Sequence, residues 1–276
     1  MSGKSQPIDN EAEYNNRAAV PDHPVVMARW KADADAARDT YPPVVLPYGA
    51  SERETINLFD AGPDAPVVMF IHGGYWQALD PSWFSWVAPP LLANGISVAI
   101  PSYDLCPTVR LAVIVDQMRS AARLLSERTG RLPLATGHSA GGHLSACLLS
   151  DGLASAAVAI SGVFDLEPLM PTSLNVALKL DPAEAEALSP IRWPVPNGAM
   201  LDCVVGGSET LEFGRQSRDM AEIWAAKGAV TRFEALPGLN HFTVLDALAD
   251  PDGALVQRIA ALAHHTGMSL SASPPR

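Results

Sequence analysis

Leu132-Pro133-Leu134-Ala135-Thr136-Gly137-His138-Ser139-Ala140-Gly141-Gly142-His143-Leu144 decides how this 276-residue chain is read. An apolar run enters the stretch, small residues fill its middle, and Leu144, Cys147 and Leu148 leave it at helical spacing. Residues 137–141 fit G-x-S-x-G. The pattern predicts a buried strand, a sharp turn and a helix, with Ser139 on a strained backbone and its hydroxyl above the sheet. Glycine is needed on both sides because a Cβ there would strike the neighbouring strand or helix. The helix starts at once and directs its unbonded N–H groups toward that hydroxyl.

Outward from this stretch, strands and helices alternate. Residues 66–72 read as a strand whose positions 66–71 form a continuous apolar run, as a strand buried on both faces requires. Residues 55–58, 96–100, 156–160, 200–205 and 230–235 also read as strands. Helices are expected near 82–94, 108–129, 214–227 and 252–264, with an irregular, proline-rich segment at 163–193. The predicted class is α/β, a mainly parallel central sheet with helices on both faces. Residues 1–50 form an N-terminal extension carrying one helix near 25–39, either a surface segment or one folded over the site. Residues 51–268 are expected to be one domain and 269–276 a disordered tail.

Apolar residues make up 48% and charged residues 18%, enough for a substantial core. The net charge is -11 and no run of Lys and Arg is present, which argues against nucleic acid as a partner. That acidity suits solubility and gives no reason to expect an anionic substrate. Cys106, Cys147 and Cys203 are far apart, odd in number and without metal spacing, as free thiols in a reducing cytosol would be. The N-terminus lacks an apolar signal region and no stretch is long enough to span a membrane, so a cytoplasmic protein is expected. A small-molecule substrate is the expected partner, and a homodimer is left open.

The chemistry suggested by an exposed serine at such a turn needs four parts: nucleophile, base, orienting acid and oxyanion donors. Ser139 is the candidate nucleophile. The amide of Ala140 is one donor. His72-Gly73-Gly74-Tyr75-Trp76, ending a buried strand, supplies others: the amides of Gly74 and Tyr75, with Gly73 shaping the turn. His241, in Gly238-Leu239-Asn240-His241-Phe242 after the last strand, is the candidate base. The acid should follow strand 200–205, where Gly206-Gly207-Ser208-Glu209-Thr210-Leu211-Glu212 offers two carboxylates. Glu209 lies in the tight turn and is favoured, Glu212 suits a helix start, and Asp202 lies inside the strand. Trp76, Tyr103, His138 and Phe242 are assigned to the substrate pocket, with Tyr75, Trp83 and Trp86 as further aromatic candidates. No histidine pair has zinc-ligand spacing, so neither metal nor cofactor is expected.

These motifs, with Tyr103-Asp104, Ser161-Gly162-Val163-Phe164-Asp165-Leu166 and Tyr14-Asn15-Asn16-Arg17, resemble the arylformamidase (kynurenine formamidase) branch of the α/β-hydrolases. That branch is related to hormone-sensitive-lipase-type esterases. The likeness runs from about residue 10 to 260 and implies an α/β-hydrolase fold with the order Ser139, Glu209, His241. It also implies cleavage of an aryl formamide such as N-formylkynurenine through an acyl-enzyme. A short-acyl carboxylesterase or amidase is the alternative, and a non-catalytic small-molecule receptor a third reading. One position departs from the branch, whose better-known members carry Asp where Glu209 stands.

Overall fold

The strand-like runs assemble into one eight-stranded sheet of order β1-β2-β4-β3-β5-β6-β7-β8 in the computed structural model, which describes residues 8–268. Its strands are β1 Val44–Pro47, β2 Thr55–Phe59, β3 Val67–Ile71, β4 Ser97–Pro101, β5 Leu134–His138, β6 Ala157–Ile160, β7 Met200–Gly206 and β8 Val230–Leu236. β1, β2 and β4 pair antiparallel, and the remaining pairings are parallel. The helices are α1 Asn10–Tyr14, α2 Asn16–Ala19, α3 His23–Thr40, α4 Ala88–Leu92 and α5 Leu111–Thr129. They continue as α6 Ala140–Ser150, α7 Asn175–Leu178, α8 Pro182–Ala187, α9 Leu211–Ala226 and α10 Ala254–Met268.

Every residue of β3 is buried, and successive side chains serve opposite cores. Val67, Met69 and Ile71 pack with residues of α5 and α6, while Val68 and Phe70 pack with residues of α3, α4 and α10. This two-faced burial is why the strand reads as an unbroken apolar run. The expected sheet and its helical layers are therefore observed.

Three local expectations are corrected. The helix expected over 82–94 breaks into 3-10 turns at Pro81–Trp83 and Ser85–Val87 before α4. Pro89 and Pro90 supply no N–H for a continuous helix and force the break. β1 was missed because it is an edge strand with little buried surface, so no apolar alternation marks it. It pairs with β2 in register Val44↔Leu58, so a boundary at residue 50 runs through a hairpin. α1 and α2 are too short for periodicity, although Asp9 and Asn15 cap them by accepting the amides of Ala12 and Ala18. The tail expected at 269–276 lies outside the described residues.

Candidate active site

The turn between β5 and α6 has the strain its sequence predicts. Ser139 adopts φ 56° and ψ -116°, a conformation costing about 1–3 kcal/mol that persists only where the surroundings enforce it. They do so by close contact. A Cβ on Gly141 would lie 1.9 Å from the carbonyl oxygen of Ile71, and one on Gly137 would lie 2.5 Å from that of Gly141. The Ser139 amide donates to the Ile160 carbonyl at 2.8 Å, tying the turn to β6.

His241 follows β8 and is buried beside Phe213, ring centroids 4.4 Å apart. Its Nδ1 lies 2.6 Å from Glu209 Oε2. The other carboxylate oxygen, Oε1, accepts from the Ser161 hydroxyl at 2.5 Å and the Gly206 amide at 2.6 Å. Three hydrogen bonds thus hold this buried carboxylate, and the longer Glu arm is accommodated by anchoring its far oxygen. The bond also sets the tautomer: Nδ1–H donates to Glu209, which leaves Nε2 as the accepting nitrogen. Glu212 is occupied elsewhere. It pairs with Arg215 at 2.7 Å through both oxygens and accepts the Tyr14 hydroxyl at 2.9 Å. Arg215 and then the Tyr14 hydroxyl hold its carboxyl below the usual range. Asp202 pairs with Arg258.

Ser139 and His241 line one cavity of about 350 Å³, together with Gly74, Tyr75, His138 and Phe242. Among the described residues no acceptor within the chain takes the amides of Gly74, Tyr75 or Ala140. Gly74 sits at φ 108°, followed by Tyr75 and Trp76 at φ 49° and 56°. These left-handed residues turn the loop sharply after β3. Gly73 packs behind it, where a Cβ would come within 3.1 Å of the Ser139 Cβ. Loop amides with no internal acceptor beside a strained hydroxyl form a donor set for an anionic oxygen.

Two sequence-assigned pocket residues sit elsewhere. Trp76 is fully buried against His143, ring centroids 5.0 Å apart. Tyr103 is fully buried, stacked on His72 at 4.3 Å, and donates to the His72 carbonyl at 2.9 Å. Both support the floor of the loop and do not line the cavity. His138 does line it, and its Nε2–H donates to the His241 carbonyl at 2.8 Å. Burial, then the neighbouring His241, drives the His138 pKa well below its ordinary value, so it stays neutral.

The rest of the lining was not assigned from sequence. Trp30 of α3, Phe84 and Met27 form an apolar side, and α1 and α2 cross the cavity with Glu11, Asn16 and Arg17 on its wall. The Tyr75 hydroxyl donates to the Tyr14 carbonyl at 2.7 Å and accepts from Asn16 Nδ2 at 3.2 Å. Ser161 was also missed as a holder of Glu209. Its signal was the Ser161-Gly162 pair after β6, where Ser161 takes φ 50° to point at the carboxylate.

Sheet order, strained serine turn and the carboxylate–imidazole pair define an α/β-hydrolase. An esterase from Pyrobaculum calidifontis has this fold, with a TM-score of 0.65 at 16% identity over 98% of this chain and 100% of that one. A crystal structure from a Silicibacter species, provisionally described as a thioesterase, superposes with a TM-score of 0.82 at 34% identity. That match covers 92% of this chain and 99% of the other. No protein-family model matches the chain. A kynurenine formamidase of Salmo salar is 30% identical over 232 residues, 77% of this chain and 79% of that protein. One of Drosophila melanogaster is 30% identical over 231 residues, 75% and 77% of the two chains. The chain belongs to the kynurenine formamidase family and is a hydrolase, as its motifs led us to expect. No helix among the described residues is long and apolar enough to cross a membrane.

Proposed function

We propose that this enzyme cleaves an aryl formamide such as N-formylkynurenine through Ser139, His241 and Glu209. The observation that carries the reading is the 2.6 Å Glu209–His241 bond opening on the cavity that Ser139 lines. His241 Nε2 takes the Ser139 proton as Oγ attacks the formyl carbon. The oxyanion collects the amides of Gly74, Tyr75 and Ala140, and each such donor is worth about 3–4 kcal/mol at the transition state. His241 then gives its proton to the aryl nitrogen, the C–N bond breaks and the amine leaves. Water, deprotonated by His241, attacks the formyl ester, formate departs, and Ser139 recovers its proton. Glu209 keeps the imidazole in the productive tautomer and stabilises the imidazolium.

Trp30, Phe84 and Phe242 give the aryl part an apolar wall. We place the enzyme in the cytoplasm, in keeping with three buried, unpaired cysteines. The test is kcat/KM on N-formylkynurenine against p-nitrophenyl acetate and an acetyl thioester, with a fluorophosphonate label mapped to Ser139. The formamide is expected to be far the best substrate, and Ser139→Ala to lose at least about a thousandfold in kcat. A preference for the ester would replace this reading with a short-acyl esterase, and a preference for the thioester with a thioesterase, the description given to the Silicibacter neighbour.

A further inference from the structure

The charge of the cavity differs from that of the chain. The whole sequence carries a net charge of -11, yet the acidic and basic side chains on the cavity wall are one Glu and one Arg. The carboxylate of Glu11 is already committed across the opening. It accepts the Ser173 amide at 2.7 Å and the Ser173 hydroxyl at 2.7 Å. Arg17, on α2, forms no ion pair or hydrogen bond among the described residues. Its backbone is nonetheless placed, because the adjacent Asn16 is buried and bonded to Tyr75, whose own amide faces the reacting carbonyl in the mechanism above. Arg17 is therefore a cation on the cavity wall with no partner among the described residues, carried by backbone tied to the oxyanion loop, and Glu11, whose oxygens are taken by Ser173, is the one acidic side chain beside it on that wall. A guanidinium fork matches a carboxylate in both geometry and charge.

We propose that Arg17 is the residue that binds a carboxylate carried by the leaving amine, and so sets how strongly the site prefers a formamide bearing that group over one lacking it. The inference rests on the hydrolase reading. A formyl group has no room for a charge, which assigns the anion to the leaving group. Arg17 acts on specificity and takes no part in bond breaking.

The experiment reads a ratio. kcat/KM is measured for N-formyl-L-kynurenine and for its decarboxylated counterpart, N-formylkynuramine, in the wild type, Arg17→Met and Arg17→Lys. The wild type is expected to favour the carboxylate about tenfold or more, Arg17→Met to erase that ratio, and Arg17→Lys to restore part of it. Raised ionic strength should shrink the wild-type ratio. Loss of folded protein cancels because both substrates meet the same enzyme. A ratio unchanged in Arg17→Met overturns the proposal. If neither formamide is turned over, the formamidase reading fails. The same ratio is then taken on O-acetyl-L-tyrosine and O-acetyltyramine, which any serine esterase can present to Arg17. An Arg17-dependent preference on that pair sustains the carboxylate site, and its absence removes it.

Discussion

The cavity has two walls built in different ways. One stands at the carboxyl ends of β3, β5 and β8, where Gly74, Tyr75, Ser139 and His241 are set by backbone that the sheet holds in register. The other is the strap of α1 and α2, which pairs with no strand. The strap is fixed mainly by side chains. The Tyr14 hydroxyl donates to Glu212 at 2.9 Å and accepts from Gln216 at 2.7 Å, and the Thr210 hydroxyl donates to the Glu13 carbonyl at 2.7 Å. Such bonds are each worth about 0.5–1.5 kcal/mol net, more where a charge is involved. On the reading proposed above, the chemistry, which tolerates little displacement, stands on the wall with the stiffer support, and selection of the substrate falls to the wall that can be adjusted cheaply.

Two carboxylates three residues apart offer the largest test of this division. Glu209 faces the sheet wall and His241, whereas Glu212 holds the strap through Tyr14 and Arg215. Glu209→Gln keeps the shape but removes the charge that fixes the imidazole tautomer. Its kcat is expected to fall about a hundred- to ten-thousandfold with little change in fold. Glu212→Gln should keep most of kcat and cost about 1–3 kcal/mol of stability, because it unpairs a guanidinium and weakens a buried hydroxyl bond. Urea unfolding and steady-state kinetics on the two variants check this. A dead Glu212→Gln beside an active Glu209→Gln would break the comparison outright.

Acid should undo the walls at different pH. Burial pushes His72 and His143 down to about 4 and drives His138 well below its ordinary value. All three stay neutral when folded but take up a proton near 6.5 when unfolded, so the unfolded state binds more protons between pH 6.5 and about 4. Their contribution is complete above 6.5 and is lost as pH falls toward the folded value, about 3 kcal/mol each for His72 and His143. Glu11 on the strap and Glu212, which anchors the strap from α9, are instead held below 4.5, by Ser173 and by Arg215 respectively. Their contribution is complete above that value and is lost only as pH falls below it. Calorimetry from pH 7 to 5 should therefore show a falling Tm governed by the sheet wall. A flat Tm over that range would mean the buried imidazoles are not desolvated as their packing implies.

What the sequence disclosed follows the same line. The strands and the serine turn were readable because burial on two faces and close backbone approach leave few permitted residues. Ala and Gly at 140–142 and the run 67–71 are such places. That His241 would meet Glu209 was readable from their position after predicted strands, since a tight turn past a strand end leaves little choice of direction. The strap was not. α1 and α2 have no period long enough to detect, and Tyr14 meets Glu212 across 198 residues of sequence. Trp76 and Tyr103 misled for a related reason. An aromatic beside a catalytic loop can face the cavity or brace the loop from behind, and only packing against His143 and His72 decides it.

The smallest expected effect lies at the outer edge of the strap. Glu11 is exposed, and its two bonds to Ser173 join α1 to the 172–174 segment over the cavity. Glu11→Gln keeps an oxygen acceptor but removes the charge, and Glu11→Ala removes both. Bonds in water are worth little, so KM is expected to rise about two- to fivefold in Glu11→Ala and less in Glu11→Gln. kcat should move less than KM in both, because neither change reaches the amides of Gly74 and Tyr75. Removing a negative charge near Arg17 also acts in the opposite sense, favouring an anionic substrate. Glu11→Gln should therefore show the smaller rise in KM on a carboxylate-bearing formamide than on a neutral one. If kcat instead fell a hundredfold, the strap would be setting the geometry of the reacting groups, and the assignment of chemistry to one wall and selection to the other would have to be abandoned.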